Sequence, residues 1–170
     1  YKVADLPQFW SEQRYIKLLD PNIIACPDWE NLLGQLADSG AWVDFTQGID
    51  IRLMTDEKAA AINKVKYSML HFAWDNPADM ETLEKLKEYR SVWKGSQRNR
   101  SVYVLTNFNS THEEDLYRVY ALRELGYDPY IMIYDKIHAP KETRYLQRWV
   151  NNKRIFRTIK YFKDYDHTRG

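Results

Sequence analysis

Residues 42–62 read WVDFTQGIDIRLMTDEKAAAI, and this stretch decides the fold class. Its first part, with Val43 and Phe45 in the run AWVDF at 41–45, is the short apolar and β-branched segment expected of a buried strand. Its last part places Thr55, Asp56 and Glu57 ahead of Ala59 and Ile62, which is the start signal and apolar spacing of a helix. Between them lies the polar passage Thr46-Gln47-Gly48-Ile49-Asp50-Ile51-Arg52. A strand, a polar end and a helix in that order form one βα unit.

The unit repeats along the chain. Apolar runs YIKLLD at 15–20, MLHFAW at 69–74, SVYVLT at 101–106 and YIMIYD at 130–135 accompany AWVDF, with midpoints about 25 to 31 residues apart, close to the roughly 30 residues of a strand and its crossover helix. Helix signals fall between the runs. Pro27-Asp28 opens the face of Trp29, Leu32, Leu33 and Leu36, with Gly40 as its stop; Asn76-Pro77 opens a third helix. Ser110 with Glu113, or Thr111 with Glu114, makes a capping box before Leu116, Val119 and Leu122, and Ala139-Pro140 opens a helix through Leu146 and Trp149. Nearly continuous apolar strands imply a parallel sheet covered by helices. The expected class is α/β: an incomplete TIM-like (β/α) barrel of about five to six parallel strands with outer helices, because a closed barrel takes about 250 residues and this chain has 170. Residues 1–140 are expected to form the partial barrel, with 141–170 as a helix and basic tail packed on the same domain.

Composition removes several function classes. With 25 Lys and Arg against 24 Asp and Glu the net charge is +1, so the chain as a whole has no bulk attraction for nucleic acid or an anionic membrane. Mean hydropathy is −0.66 and no 18-residue run lacks charge, which predicts no membrane span. The start YKVADLPQFW carries no signal pattern, and a cytoplasmic protein is expected. Charge is nevertheless uneven: residues 141–163 hold eight basic side chains and Glu142 alone of the acids, a local charge of +7. That tail could bind an anionic partner, nucleic acid included, in a non-catalytic module.

In parallel α/β sheets ligands bind outside the carboxyl ends of the strands. Here those ends are polar: Asp20-Pro21-Asn22, Gln47 through Arg52, Asp75-Asn76, Thr106-Asn107-Phe108-Asn109, and Tyr134-Asp135-Lys136. Turn formation accounts for many such residues, but Gln47 and Arg52 are poor turn formers. The histidines show no helical zinc spacing; a metal-dependent barrel hydrolase with a metal site from His71, Asp75, Asp135 and His112 is a further reading. No G-x-S-x-G, P-loop or G-x-G-x-x-G is present. The single cysteine, Cys26, stands before the first helix as a small apolar residue or an activated thiol. The tryptophans read as core, Trp149 alone having basic neighbours, Arg148 and Lys153.

The succession IKLLDPNI, WVDFTQGIDIRLMTDEKAAAI, MLHFAWD, VYVLTNFNSTHEEDLYR and PYIMIYDK resembles the later strands of the radical S-adenosylmethionine fold, a partial (β/α)6 barrel. The second block is the best match, to the third strand of such enzymes, while TNFNSTHEED has no glycine where their loop after the fifth strand is glycine-rich. The family's 4Fe-4S cluster is held by C-x-x-x-C-x-x-C, which this chain lacks. The first strand here matches the family's second, so a fragment without its cluster-bearing segment is expected, inactive by itself and prone to self-associate through the exposed barrel edge; the competing explanation is a barrel that has lost the chemistry. The resemblance implies S-adenosylmethionine and a 4Fe-4S cluster for the full protein, neither held by this chain alone, and a 5′-deoxyadenosyl radical acting on a small or macromolecular substrate the sequence does not identify. By position, Asp20 and Asn22 would accept from the methionine ammonium, and Gln47 and Arg52 would address its carboxylate or the ribose. Asp75 would bond the ribose, Asn107 would sit beside adenine, and Tyr134 and Asp135 would face substrate.

Overall fold

A computed structural model describes residues 4–168. Five parallel strands, β1 (Tyr15–Leu18), β2 (Trp42–Ile49), β3 (Tyr67–Ala73), β4 (Arg100–Thr106) and β5 (Asp128–Ile133), form one open sheet in sequence order, so the class is α/β. Helices α1 (Trp29–Ser39), α2 (Asp56–Lys64), α3 (Met80–Tyr89), α4 (His112–Glu124), α5 (Lys141–Asn151) and α6 (Lys153–Thr158) follow the strands. The chain divides into two compact units, one running through Ala73 with Glu81–Ser101, the other comprising Trp74–Met80 with Val102 onward. Among the described residues no helix is long and apolar enough to cross a membrane.

In the first unit β2 lies between β1 and β3, both parallel to it, with Tyr15 opposite Trp42 and Phe45 opposite Leu70. Val43, Phe45, Leu70 and Phe72 are buried together with Leu33 and Leu36 of α1 and Ala59 and Ile62 of α2 in the apolar core. Helix stops and starts follow their local chemistry. Gly40 ends α1 at φ 63°, a left-handed conformation that glycine adopts without a Cβ clash. The Thr55 hydroxyl caps α2 by accepting from the Lys58 amide.

β2 runs farther than the apolar run indicated, through Ile49. Phe45 pairs with Leu70 and Ile49 with Phe72, so four steps on β2 face two on β3. A bulge absorbs the excess, with Gly48 at φ 93°. The third helix begins at Met80 rather than at Asn76-Pro77 because Asn76 folds the chain into a turn first: its side chain accepts from the Ala78 amide and its carbonyl from the Asp79 amide.

In the second unit Val102, Val104 and Ile131 of the strands, Val119 and Leu122 of α4, and Leu146, Trp149 and Val150 of α5 are buried. Of the two capping boxes the sequence allows, the structure uses Thr111 and Glu114 at α4. Asn152 caps α6, a helix the sequence did not announce, by accepting from the Ile155 amide. Trp149 is fully buried and donates to the Ile159 carbonyl at 3.2 Å. It is a core residue, as the sequence reading has it, and its basic neighbours Arg148 and Lys153 do not make it a stacking surface. The basic tail is also partly structural: Arg157 pairs with the buried Asp128 at 2.6 Å, and Lys153 donates to the Pro129 carbonyl.

Candidate functional site

The strand-end residues of the first unit are joined by their own hydrogen bonds. Asp20, two residues past β1, accepts from the Asn22 amide at 2.9 Å, and the Asn22 side chain accepts from the Asp50 amide at 3.5 Å. Asp20 and Gly48 line one small recess with Leu18, Ile23, Phe45 and Ile49. Arg52 grips Asp50 through two hydrogen bonds of 2.8 Å, and this guanidinium contact holds the Asp50 carboxyl below its ordinary pKa. Gln47 is exposed on the bulge, inside β2 rather than beyond it.

The sheet of this unit also carries a polar pair. His71 of β3 stands 3.4 Å from Asp44 of β2, and burial pushes the imidazole pKa down. A largely apolar groove of about 590 Å³ runs beside β1, with Leu6, Trp10, Tyr15, Leu19 and Cys26 among its walls. Cys26 is half-buried there.

In the second unit the corresponding residues are organised by a side chain the sequence did not flag. Arg118 of α4 is fully buried. Its Nη1 donates to the Trp74 and Asp75 carbonyls at 2.8 Å each, and its Nη2 donates to the Leu105 carbonyl at 2.9 Å and to Asp115 at 2.5 Å. Ser110 donates to the same carboxylate at 2.7 Å. One guanidinium thus fixes the backbone just after β3 and near the end of β4. Periodicity cannot reveal this, since the contacts span up to 44 residues of sequence.

Asp75 reaches solvent, yet the protein around its carboxyl raises the pKa, opposed by a main-chain hydrogen bond from Leu105. Asn107, directly after β4, holds φ 60° without being glycine, a conformation that L residues avoid and that Asn tolerates best. Its side-chain nitrogen donates to the Asp135 carbonyl at 3.4 Å, which brings two of the candidate residues together. The Tyr134 ring meets Phe108 at 4.6 Å between centroids. The Asp135 carboxylate lies 2.7 Å from His138 Nδ1 and accepts from the His138 amide as well. That pair is an exposed acid–imidazole couple beside Asn107; its i, i+3 spacing was visible in the sequence.

His112, the first residue of α4, sits 3.3 Å from Glu142 and packs on Phe162. Among the described residues no group of three or more His, Cys, Asp or Glu side chains is gathered as a metal-ligand set. No known protein family, curated protein or solved structure matches the chain.

Proposed function

We propose that the chain is part of a radical S-adenosylmethionine-type enzyme, built on a partial (β/α) barrel. One observation carries the reading. Each of the five parallel strands gives way, within two residues of its end, to a polar side chain: Asp20, Asp50, Asp75, Asn107 and Asp135 follow β1 to β5 in turn. Strand order equal to sequence order supports the barrel reading over a doubly wound sheet, whose order reverses at a switch point.

The donor set suits such a cofactor. Carboxylates at Asp20 and Asp75 and amides at Asn22, Gln47 and Asn107 are the groups that bind an ammonium, ribose hydroxyls and a base edge. Arg52 offers a carboxylate partner, although Asp50 already engages it. Tyr134 and Asp135 are proposed to face substrate. A 4Fe-4S cluster does not fit this chain, because Cys26 is its one cysteine; the three thiolates would have to come from another stretch of polypeptide. Bound beside such a cluster, S-adenosylmethionine supplies one-electron chemistry.

The test uses the complete reading frame, purified without oxygen. We expect it to encode C-x-x-x-C-x-x-C ahead of Tyr1, to carry iron and sulfide, and to bind S-adenosylmethionine with an affinity lowered about tenfold or more by Asp20→Ala and by Asp75→Ala, the loss of one hydrogen bond to a charged group. Unchanged affinity in both variants, or a frame without those cysteines, overturns the proposal.

A further inference from the structure

The second unit contains a cavity of about 850 Å³ that the strand-end residues do not touch. Its walls come from α4, α5 and the segment after α6. We infer that this cavity binds a nucleotide, taking the base between its aromatic side chains and the phosphate at its lysines.

Tyr145, Tyr161, Phe162 and Tyr165 supply the flat surfaces, and Lys141 and Lys163 are the exposed cations on the lining. Ring stacking is already practised there, since His167 lies over Tyr145 at 4.1 Å and 23° between planes. Lys163 stands 5.7 Å from the centre of the Tyr161 ring, so cation and ring surface adjoin. The one acid on the lining, Glu142, lies 3.3 Å from His112, and the two lysines outnumber it.

Two buried polar atoms on this lining find no hydrogen-bond partner among the described residues: the Tyr165 hydroxyl, on a side chain only 8% exposed, and His112 Nδ1. Buried donors and acceptors are nearly always satisfied, and each one left alone is unfavourable. A planar heterocycle carries ring donors and acceptors of the kind that would satisfy such groups. An inorganic anion would use the lysines and leave the rings idle, and an acidic peptide would do the same. Stacking surface, ring-edge partners and phosphate partners together select a nucleotide, and the volume falls in the ordinary range of ligand pockets, about 300 to 1,000 Å³.

A pyrimidine probe keeps this site separate from that of the adenosyl cofactor. Titrating the chain with cytidine monophosphate, cytidine and inorganic phosphate, followed by calorimetry, should show saturable binding of the monophosphate and, since one charge-assisted hydrogen bond is lost, about tenfold weaker binding of cytidine. Lys163→Gln should remove most of that preference while leaving cytidine affinity unchanged. Tyr165→Phe, which deletes one oxygen, should weaken both ligands. An octacytidylate strand binding more tightly than the monophosphate would identify the source as single-stranded nucleic acid; equal affinity would identify a free nucleotide. The inference is overturned if cytidine monophosphate fails to bind up to roughly 10 mM, well above common ligand affinities. It is equally overturned if phosphate competes as well as the nucleotide, if S-adenosylmethionine displaces it, or if both variants bind as the parent does.

Discussion

Arg118 donates to the main-chain carbonyl of Asp75 at 2.8 Å, so the backbone at one candidate strand end is held by a guanidinium with no exposure of its own. Asp115 balances the charge, and three carbonyls use the remaining donors of the two amino groups. Removing one member of such an assembly leaves a buried charge without its counter-ion. Arg118→Met should therefore lower stability by about 3 to 5 kcal/mol, measured by urea unfolding. A loss below about 1 kcal/mol, the range of exposed pairs, would show that this guanidinium is no clamp.

Lys153 should make stability depend on pH in a distinctive window. Burial lowers its pKa to about 8, with Asp128 opposing and Arg157 adding to the shift. Between the unfolded value near 10.4 and the folded value near 8, the unfolded chain binds a proton that the native chain does not. Its contribution is therefore fully present above the unfolded pKa and is lost as pH falls toward 8. Lys153→Met should flatten this part of the profile. Subtracting its unfolding free energy from the parent's at pH 7, 8, 9 and 10 isolates the effect, and a flat difference would refute it.

Asn107 offers a separation of folding from binding. Glycine at φ 60° relieves the left-handed conformation, so Asn107→Gly should hold or raise stability, by less than about 1 kcal/mol after the glycine entropy cost is set against the relief. Loss of the side chain also breaks the bond to Asp135. On the proposed function the same variant of the complete protein binds S-adenosylmethionine more weakly. Thermal melting and cofactor titration of one sample test both, and a less stable variant with full affinity would contradict both.

Thr111→Ala should cost about 0.5 to 2 kcal/mol, because it removes the acceptor for the Glu114 amide at the start of α4. Ser110→Ala tests the alternative box. Its hydroxyl serves Asp115 instead of the helix cap, so losing it should loosen the Arg118 assembly without the fraying of α4 that amide exchange would reveal in Thr111→Ala.

These cases mark what the sequence makes legible. The pitch of apolar runs locates all five strands, and local start and stop chemistry locates α1, α2, α4 and α5, because caps and periodicity involve residues a few positions apart. Features set by distant partners escape such a reading. Arg118 looks like any basic residue on a helix until Trp74, Asp75 and Leu105 turn their carbonyls toward it. Gln47 looks like the residue after a strand because nothing local signals that β2 resumes pairing at Ile49. Arg157 and Lys153 look like part of a free basic surface until Asp128 and Pro129 are seen beside them. Apart from Gln47, the candidate residues were legible as positions at or just past strand ends; which of them bond each other was not.

The two surplus residues in β2 also govern how the segment tolerates loss. Side chains alternate along a strand, so removing one residue from Thr46-Gln47-Gly48 would rotate Ile49 out of the core and expose an apolar side chain now only 2% accessible. Removing two would restore parity and let Ile49 meet Phe72 across a continuous ladder. Paired deletions in this loop should therefore yield folded protein where single deletions do not, a parity rule readable from soluble expression.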